Sequence, residues 1–213
     1  MKTLIVPKLE ITGDINTVSR RLQDLPGNEL NTVNWPGLYP YVPDVCFRLA
    51  HDGENMYLQF QVREQEILAA IENDNERVCT DSCVEMFISF DNDHYYNAEF
   101  SCIGKALLGY RKTGEPAVRG TSAVMQSIKR LPTLGAGNRM HEQGDISWML
   151  TLIIPLSAFW NEKIKSFSGL TAKANFYKCG DNLTVPHYLS WSEINTPKPS
   201  FHQPRYFGTL KFE

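Results

Sequence analysis

The sequence has no apolar run that approaches the roughly 20 residues needed for a membrane-spanning helix. It also lacks any run of like charges, since 21 lysines and arginines stand against 24 aspartates and glutamates for a net charge of −3. Proteins that bind nucleic acid or anionic membranes through charge usually carry a basic patch. We therefore expect neither nucleic acid nor membrane among the partners.

Cysteine is scarce, with five residues in an odd number. Cys46, Cys83 and Cys102 fall inside alternating apolar patterns, so we interpret the cysteines as reduced residues of the core. The first residues, M-K-T-L-I-V-P-K, contain an apolar segment too short for a secretory signal. The sequence as it stands predicts a cytoplasmic location, or a periplasmic or secreted one if a signal peptide has been removed.

No internal repeat and no long segment of helical periodicity occur in the chain. Apolar and polar residues instead alternate in about nine short segments separated by turn signals. The clearest pair covers residues 45–51 and 56–63, joined by Asp52 and Gly53. These patterns predict an all-β fold, an antiparallel β-sandwich of two packed sheets in one domain over residues 1–213, with few short helical turns.

Four segments carry weaker signals. Residues 11–34 are polar and predict irregular structure, whereas Ile67, Leu68 and Ile71 have the spacing of a helical turn within residues 64–73. The glycines of residues 134–145 predict a flexible loop. Residues 35–43 are rich in aromatic residues and proline, and such a loop either lines a ligand site or covers one end of a core.

Residues 81–110 predict three strands that the rest of the fold is arranged around. In the first of them one side of the pleat is apolar throughout, and Glu85 is the single charge on the other side, between Cys83 and Phe87. A strand with two such faces is expected near the middle of a two-layer structure. A buried carboxylate needs a partner or takes up a proton, so Glu85 is the first candidate for a functional residue.

Five motifs in order resemble the family 9 carbohydrate-binding modules of xylanases and their gut-bacterial relatives. These motifs are D-S-C-V-E-M-F-I-S from residue 81, Y-Y-N-A-E-F-S-C-I-G from residue 95, N-F-Y-K-C-G-D from residue 175, Y-L-S-W-S-E-I from residue 188 and F-G-T-L-K-F from residue 207. The resemblance implies a two-sheet sandwich that binds a poly- or oligosaccharide without catalysis. It also implies a partner glycoside hydrolase, because such modules ordinarily accompany a catalytic domain.

The resemblance further implies a set of site residues. In such modules the sugar lies between two tryptophans and is hydrogen-bonded by a glutamate, an arginine, an asparagine and a glutamine. Glu85 matches the glutamate and Trp191 the later tryptophan, while Tyr177 stands at the position of the glutamine and Ser101 at that of the arginine. We therefore take Trp191, Glu85, Tyr177 and Ser101 as the predicted sugar-binding residues.

No cofactor is expected apart from the structural calcium that some family members contain. The oxygen-rich turn after the central strand supplies Asp91 and Asp93 as candidate ligands for it. Cys79 and Cys83 have the spacing of two metal ligands, but no second pair follows, which makes a zinc site a weak interpretation.

Two other functions compete with sugar binding. Glu85 and Glu99 lie on strands predicted to be neighbours, and a pair of carboxylates is what a glycoside hydrolase uses. The departures from the family pattern also allow a scaffold that has lost its sugar site and acts in protein–protein interaction. We interpret the chain as non-catalytic, because no cleft lined by aromatic residues is evident around Glu99 in the sequence.

Overall fold

Two β-sheets pack face to face in the structure, a computed structural model that describes residues 2–213. The strands are β1 (Thr3–Val6), β2 (Asn28–Glu29), β3 (Thr32–Val33), β4 (Asp44–His51), β5 (Asn55–Ala69), β6 (Cys83–Ser89), β7 (His94–Ser101), β8 (Ala106–Lys112), β9 (Val118–Arg119), β10 (Lys129–Pro132), β11 (Arg139–Pro155), β12 (Thr171–Cys179), β13 (Tyr188–Ser190) and β14 (Gly208–Phe212). Two short helices, α1 (Ile15–Gln23) and α2 (Ser122–Ser127), accompany them.

The larger sheet has the order β1-β14-β12-β6-β7-β8-β9, with β13 paired to β12 and β3 paired to β13. The smaller sheet has the order β10-β11-β5-β4-β2. Strand β1 runs parallel to β14, whereas the strand pairs at the centre of both sheets are antiparallel. The predicted antiparallel β-sandwich is thus confirmed.

Strand β6 is buried along its whole length because both of its faces are covered. Val84, Met86 and Ile88 point toward the smaller sheet and join the main core. On the other side, which we call the outer face, Cys83 and Phe87 join a second group of apolar residues. This group, the outer cluster, contains Trp35, Val78, Cys83, Phe87, Tyr95, Leu107, Tyr177, Cys179, Ile194, Phe201 and Phe207.

Two loops cover the outer face. Trp35 from the aromatic segment is 6% exposed, and its Nε1 donates a hydrogen bond of 2.7 Å to the carbonyl oxygen of Thr196. Phe201 and Phe207 come from the loop that precedes β14. Of the two roles left open for the aromatic segment, Trp35 takes the covering one, and the covered region is the outer cluster.

The helical turn predicted within residues 64–73 is wrong, since β5 continues to Ala69. Its extension pairs with β11, where Glu66 lies opposite Gln143 and Ile67 opposite Glu142. Glu64 and Glu66 are both buried, and distant side chains provide their partners. Long-range pairing therefore outweighs the local helical spacing.

The flexible loop predicted over residues 134–145 is also wrong in its second half. Strand β11 begins at Arg139 and pairs with β5. The register of this pairing shifts twice, between Arg139 and Glu142 and between Gln143 and Ile146. Gly144 adopts a φ of 150°, a conformation open to glycine, within the second irregularity. A bulged strand with exposed polar residues resembles a loop in sequence.

Helix α1 lies in the segment that was predicted to be irregular. Asp14 caps it by accepting a hydrogen bond of 3.0 Å from the backbone N–H of Thr17. Val18 and Leu22 are buried on one side against Ala50 and Tyr57 of the smaller sheet. In residues 2–213 no helix has the length and apolar character needed to cross a membrane.

Candidate functional site

A cavity of about 240 Å³ opens on the outer face of the larger sheet. We call it the outer cavity, and its lining residues are Cys79, Glu85, Phe87, Glu99, Cys179, Asp181, Tyr188, Pro199, Ser200, Phe201 and His202. Strands β6 and β7 supply the floor, while residues 199–202 of the covering loop supply one wall. Carboxyl groups and aromatic rings therefore meet in one partly open cavity.

The floor of the outer cavity carries two facing carboxyl groups. Glu85 and Glu99 lie directly opposite each other in the β6–β7 register and are 2% and 6% exposed. Burial and the nearby charge of Glu99 raise the pKa of Glu85 well above its ordinary value. Burial also raises the pKa of Glu99, to about 7. Both groups therefore keep their protons to higher pH than ordinary glutamates do, and a protonated carboxyl donates as well as accepts hydrogen bonds.

Glu99 has one hydrogen-bond partner on β7 and charged neighbours on β8 and β9. Asn97 Nδ2 donates to Glu99 Oε1 over 2.9 Å, and the Arg119 and Arg111 charges oppose the effect of burial on the Glu99 pKa. Gly109 makes this arrangement possible, because a Cβ there would stand 2.6 Å from Asn97 Oδ1 and 3.2 Å from an Arg119 guanidinium nitrogen. The absence of a side chain at Gly109 lets these groups share the face above β8.

Phe201 forms the aromatic wall of the outer cavity. Its ring stacks on Tyr177 with a centroid separation of 4.2 Å and an interplanar angle of 11°. The Tyr177 hydroxyl also donates to the carbonyl oxygen of Phe201 over 3.2 Å. The edge of Tyr188 approaches the same ring, at 6.0 Å between centroids. Tyr177 thus fixes the position of Phe201 from below.

His202 closes the adjoining part of the wall. Its ring lies 4.9 Å from that of Phe87, and its Nδ1 is 3.0 Å from the Tyr95 hydroxyl. Burial lowers the pKa of His202 to about 4, with smaller contributions from the Arg111 and Arg119 charges. His202 is therefore a neutral hydrogen-bonding group at neutral pH.

The raised pKa of Glu99 predicts a pH-dependent stability. In the folded state this carboxyl keeps its proton up to about pH 7, whereas an ordinary value of 4.5 applies to the exposed group. Its stabilising contribution is complete below pH 4.5 and is lost as the pH rises through 7. We expect Glu99→Gln to raise the free energy of unfolding above pH 7 by about 1–3 kcal/mol and to flatten its pH dependence.

Urea unfolding at a series of pH values measures this effect. Glu115→Gln, at an exposed turn position, serves as the matched control and should leave the pH profile of the wild type unchanged. An equal pH profile for wild type and Glu99→Gln would contradict the raised pKa of Glu99.

Three of the four predicted sugar-binding residues lie on the outer face. Tyr177 faces Glu85 across β12 and β6, and Ser101 faces Cys83 across β7 and β6. Glu85 lines the outer cavity, whereas Tyr177 is fully buried beneath Phe201. Ser101 is fully buried too, and its Oγ accepts a hydrogen bond of 3.1 Å from the Lys105 N–H.

Trp191 lies on the opposite side of the larger sheet. It is 4% exposed and belongs to the main core, with its ring edge-on to Phe47 at 6.1 Å and to Phe176 at 5.8 Å. Its backbone N–H donates to the carbonyl oxygen of Phe176 over 2.9 Å. The structure therefore does not bring Trp191 together with Glu85.

The predicted calcium ligands lie in the turn between β6 and β7. Asp91 Oδ1 accepts from the N–H groups of Asp93 and His94, each over 2.8 Å, and its Oδ2 is 3.0 Å from His94 Nδ1. Asp93 pairs with Lys112 over 3.0 Å. These oxygens already have partners, and the calcium role of Asp91 and Asp93 stays a prediction.

Sequence reasoning missed several residues of the site. Phe201, His202 and Tyr188 come from loop and edge segments whose patterns do not indicate which face they cover. Glu99 was considered only as half of a catalytic pair. The signal that could have found it is its place opposite Glu85 in the predicted hairpin, a position that follows from register alone.

Three larger depressions, of about 690, 560 and 500 Å³, lie elsewhere on the surface. Each of them is lined by at most one aromatic residue, Tyr41 in the first and Phe207 in the second. The outer cavity combines several aromatic rings with carboxyl groups, so it is the stronger candidate for a ligand site despite its smaller volume.

Comparison with solved structures gives a near-complete match. A protein from Bacteroides uniformis ATCC 8492, provisionally assigned as carbohydrate-binding, is 40% identical with a TM-score of 0.96, and the alignment covers 100% of this chain and 99% of that chain. A family 9 carbohydrate-binding module from Caldicellulosiruptor kristjanssonii in complex with glucose is 15% identical with a TM-score of 0.61, over 100% of this chain and 96% of that chain. Its complex with cellotriose gives the same identity and TM-score with 94% of that chain covered.

The likeness to the Caldicellulosiruptor module, at 15% identity, shows a shared fold alone. A comparison with curated protein sequences gave no match. The sequence model of carbohydrate-binding family 9 matches residues 19–212, which is nearly the whole chain. With the two-sheet fold and the order of motifs in agreement, the chain belongs to carbohydrate-binding family 9.

Proposed function

We propose that this protein binds carbohydrate non-covalently in the outer cavity and that the bound unit is a single sugar ring or the end of a chain. The observation that carries the proposal is that Phe201 and Tyr188 line the same cavity as the carboxyl groups of Glu85 and Glu99. Membership in carbohydrate-binding family 9 supports the class of ligand.

The lining matches the chemistry of a sugar. A pyranose ring has C–H groups that pack on aromatic rings, and hydroxyl groups on its rim that need donors and acceptors. Phe201 and Tyr188 offer aromatic surface, while Glu85, Glu99 and Asp181 surround it with carboxyl oxygens. In its protonated form Glu85 donates to a sugar oxygen, and the carbonyl oxygen of the same carboxyl accepts from a hydroxyl.

The size of the outer cavity favours a short ligand. Its volume of about 240 Å³ is below the range of roughly 300–1,000 Å³ that is usual for sites of drug-sized ligands. One sugar ring is therefore the unit that we expect to be enclosed, with any further units outside. Glucose and cellotriose, which the Caldicellulosiruptor module binds, are suitable probes.

The site residues take different roles in this proposal. Glu85 contacts the sugar directly, and Tyr177 acts as a positioning residue beneath Phe201. Ser101 supports the end of β7 through its contact with the Lys105 N–H. Sugar stacking by Trp191 stays a prediction, and it requires the indole to leave the main core.

We propose that the protein is non-catalytic and serves a partner glycoside hydrolase. Hydrolysis of a glycosidic bond needs one protonated and one ionised carboxyl group on either side of two joined sugar units. The outer cavity has a volume of about 240 Å³, which is small for two joined sugar units. Aryl-glucosides incubated with the protein should therefore release no phenol.

Calorimetric titration with glucose and cellotriose tests the proposal. We expect one site with a dissociation constant in the micromolar to millimolar range, which corresponds to about −8 to −4 kcal/mol. Phe201→Ala should weaken binding at least about tenfold because it removes the aromatic wall. Glu85→Gln should weaken it as well, since the side chain keeps its size and loses the carboxyl.

Tyr206→Ala provides a matched control for the loss of an aromatic ring. Tyr206 packs against the outer cluster but does not line the outer cavity, so its removal should leave the affinity within about twofold of the wild type. Circular dichroism of each variant separates lost binding from lost folding. Unchanged affinity in folded Phe201→Ala and Glu85→Gln would contradict the assignment of the site.

A further inference from the structure

Two cysteines and Glu85 converge below the outer cavity. Cys83 on β6 and Cys179 on β12 lie directly opposite each other in the strand register, and Glu85 follows two residues after Cys83 on the same face. Glu85 Oε1 is 3.1 Å from Cys179 Sγ and 3.9 Å from Cys83 Sγ. One ligand atom from each of the three residues lies within 4.8 Å of the others.

Glu85 has no cationic partner in this position. Among residues 2–213, no nitrogen of lysine, arginine or histidine lies within the 4.0 Å of an ion pair from its carboxylate. The donors that reach it are the two thiols, which are weak hydrogen-bond donors. The carboxyl group of Glu85 is 2% exposed and is thus held by weak donors alone. A cation bound between the sulfur atoms and the oxygen would be a stronger partner for the ionised carboxylate.

We propose that Cys83, Cys179 and Glu85 form a binding site for a thiophilic divalent cation of the zinc type, with its fourth position open to the outer cavity. Zinc in proteins is bound tetrahedrally by thiolate, imidazole and carboxylate ligands. Bond lengths of about 2.3 Å to sulfur and 2.1 Å to oxygen place neighbouring ligand atoms about 3.6 Å apart. The two sulfur–oxygen distances of 3.1 and 3.9 Å bracket that value.

Access to the site comes from the outer cavity. Glu85 and Cys179 both line it, whereas Cys83 is fully buried behind them. A cation that binds here forms bonds to two sulfur atoms and one oxygen atom. It displaces the two thiol protons and the carboxyl proton, which leave to solvent. The protein's affinity for the cation therefore increases with pH.

The cation site shares Glu85 with the proposed sugar site, but the two can be tested separately. Its ligands come from β6 and β12, and the aromatic wall formed by Phe201 takes no part in it. A protein that binds the cation but no sugar would support this inference and contradict the proposed function. A protein that binds sugar but no cation would support the proposed function and contradict this inference. Glu85 belongs to both, so we expect a bound cation to change the affinity for sugar.

Cadmium titration of the reduced, metal-free protein tests the inference. Cadmium thiolates absorb in the ultraviolet, and we expect this absorbance to saturate at one equivalent of cadmium and to be displaced by zinc. The Cys83→Ala/Cys179→Ala double variant should lose the absorbance. Cys46→Ala, which removes a half-buried thiol on β4 of the smaller sheet, should keep it.

X-ray absorption at the zinc edge of the wild-type protein gives a readout that depends on no variant. The inference predicts two sulfur neighbours and at least one oxygen neighbour per zinc. A zinc shell of nitrogen and oxygen alone would overturn it. Cadmium absorbance that persists in the folded double variant, or that disappears in Cys46→Ala, would overturn it equally.

Discussion

Replacing Trp191 by alanine is expected to lower the free energy of unfolding by about 3–5 kcal/mol, the usual cost of removing a large aromatic side chain from a core. The indole is 4% exposed and packs edge-on against the stacked rings of Phe47 and Phe176, between the two sheets. No nearby side chain can refill the space, since interiors are packed at crystal density. Urea unfolding measures the loss.

Trp191→Phe is the matched control and should cost less, because it keeps one ring in the same space. Gly208→Ala probes the same contact from the other side. A Cβ at Gly208 would collide with the Trp191 ring and lie 2.8 Å from the Lys2 carbonyl oxygen, so this small substitution should also destabilise the fold. A stable Trp191→Ala variant that has lost sugar affinity would show instead that the indole contacts the ligand.

Lys178→Met is expected to lower the free energy of unfolding by about 3–5 kcal/mol, because it leaves a buried carboxylate without its cation. Lys178 Nζ is 2.8 Å from Glu64 Oε2, and both side chains are fully buried between the sheets. Trp148 Nε1 donates to the other oxygen of Glu64 over 2.8 Å. The pair thus joins β12 of the larger sheet to β5 of the smaller one.

The neighbouring His187 lies 3.7 Å from Glu64 Oε2, and burial opposes the protonation that it would need to replace the lost cation. Burial and the Lys178 ammonium lower the pKa of His187 to about 2, and its Nε2 lies 2.8 Å from Lys178 Nζ. The double variant Lys178→Met/Glu64→Leu removes both charges and should recover at least half of the stability lost by the single variant. A single variant that loses less than about 1 kcal/mol would contradict the view that this pair is desolvated and coupled.

The sandwich could be predicted because its strands alternate strictly where one face meets the core. The β4–β5 hairpin and the β6–β8 strands all carry this pattern, and glycine or aspartate turns separate them. The errors fall where local pattern and distant pairing disagree. Residues 64–73 contain apolar residues at helical spacing, yet Glu64 and Glu66 find their partners on β12, β11 and the loop at Thr184.

The candidate site could be predicted only in part. Glu85 is a single charge in an apolar strand, and this feature can be recognised from the sequence alone. Trp191 was assigned from its motif, but a motif does not indicate which face of a sheet a side chain occupies. After β13 ends at Ser190, the Trp191 N–H bonds to Phe176, and the ring falls on the core side.

The pairing of Cys83 with Cys179 could not be predicted from local sequence either. Cys83 was compared in sequence with Cys79, four residues before it, whereas its partner in space is Cys179 on the adjacent strand. That pairing depends on the order β12-β6-β7, in which strands far apart in the chain become neighbours. Local spacing carries no information about such an order.

A crystal structure of the protein grown with saturating glucose tests the central claim most directly. The account predicts one sugar ring in the outer cavity, with its C–H face on Phe201 or Tyr188 and a hydroxyl group within hydrogen-bond distance of Glu85. The main core, including Trp191, should remain closed. Glucose bound at another surface, or an outer cavity that stays free of sugar at saturation, would contradict the account.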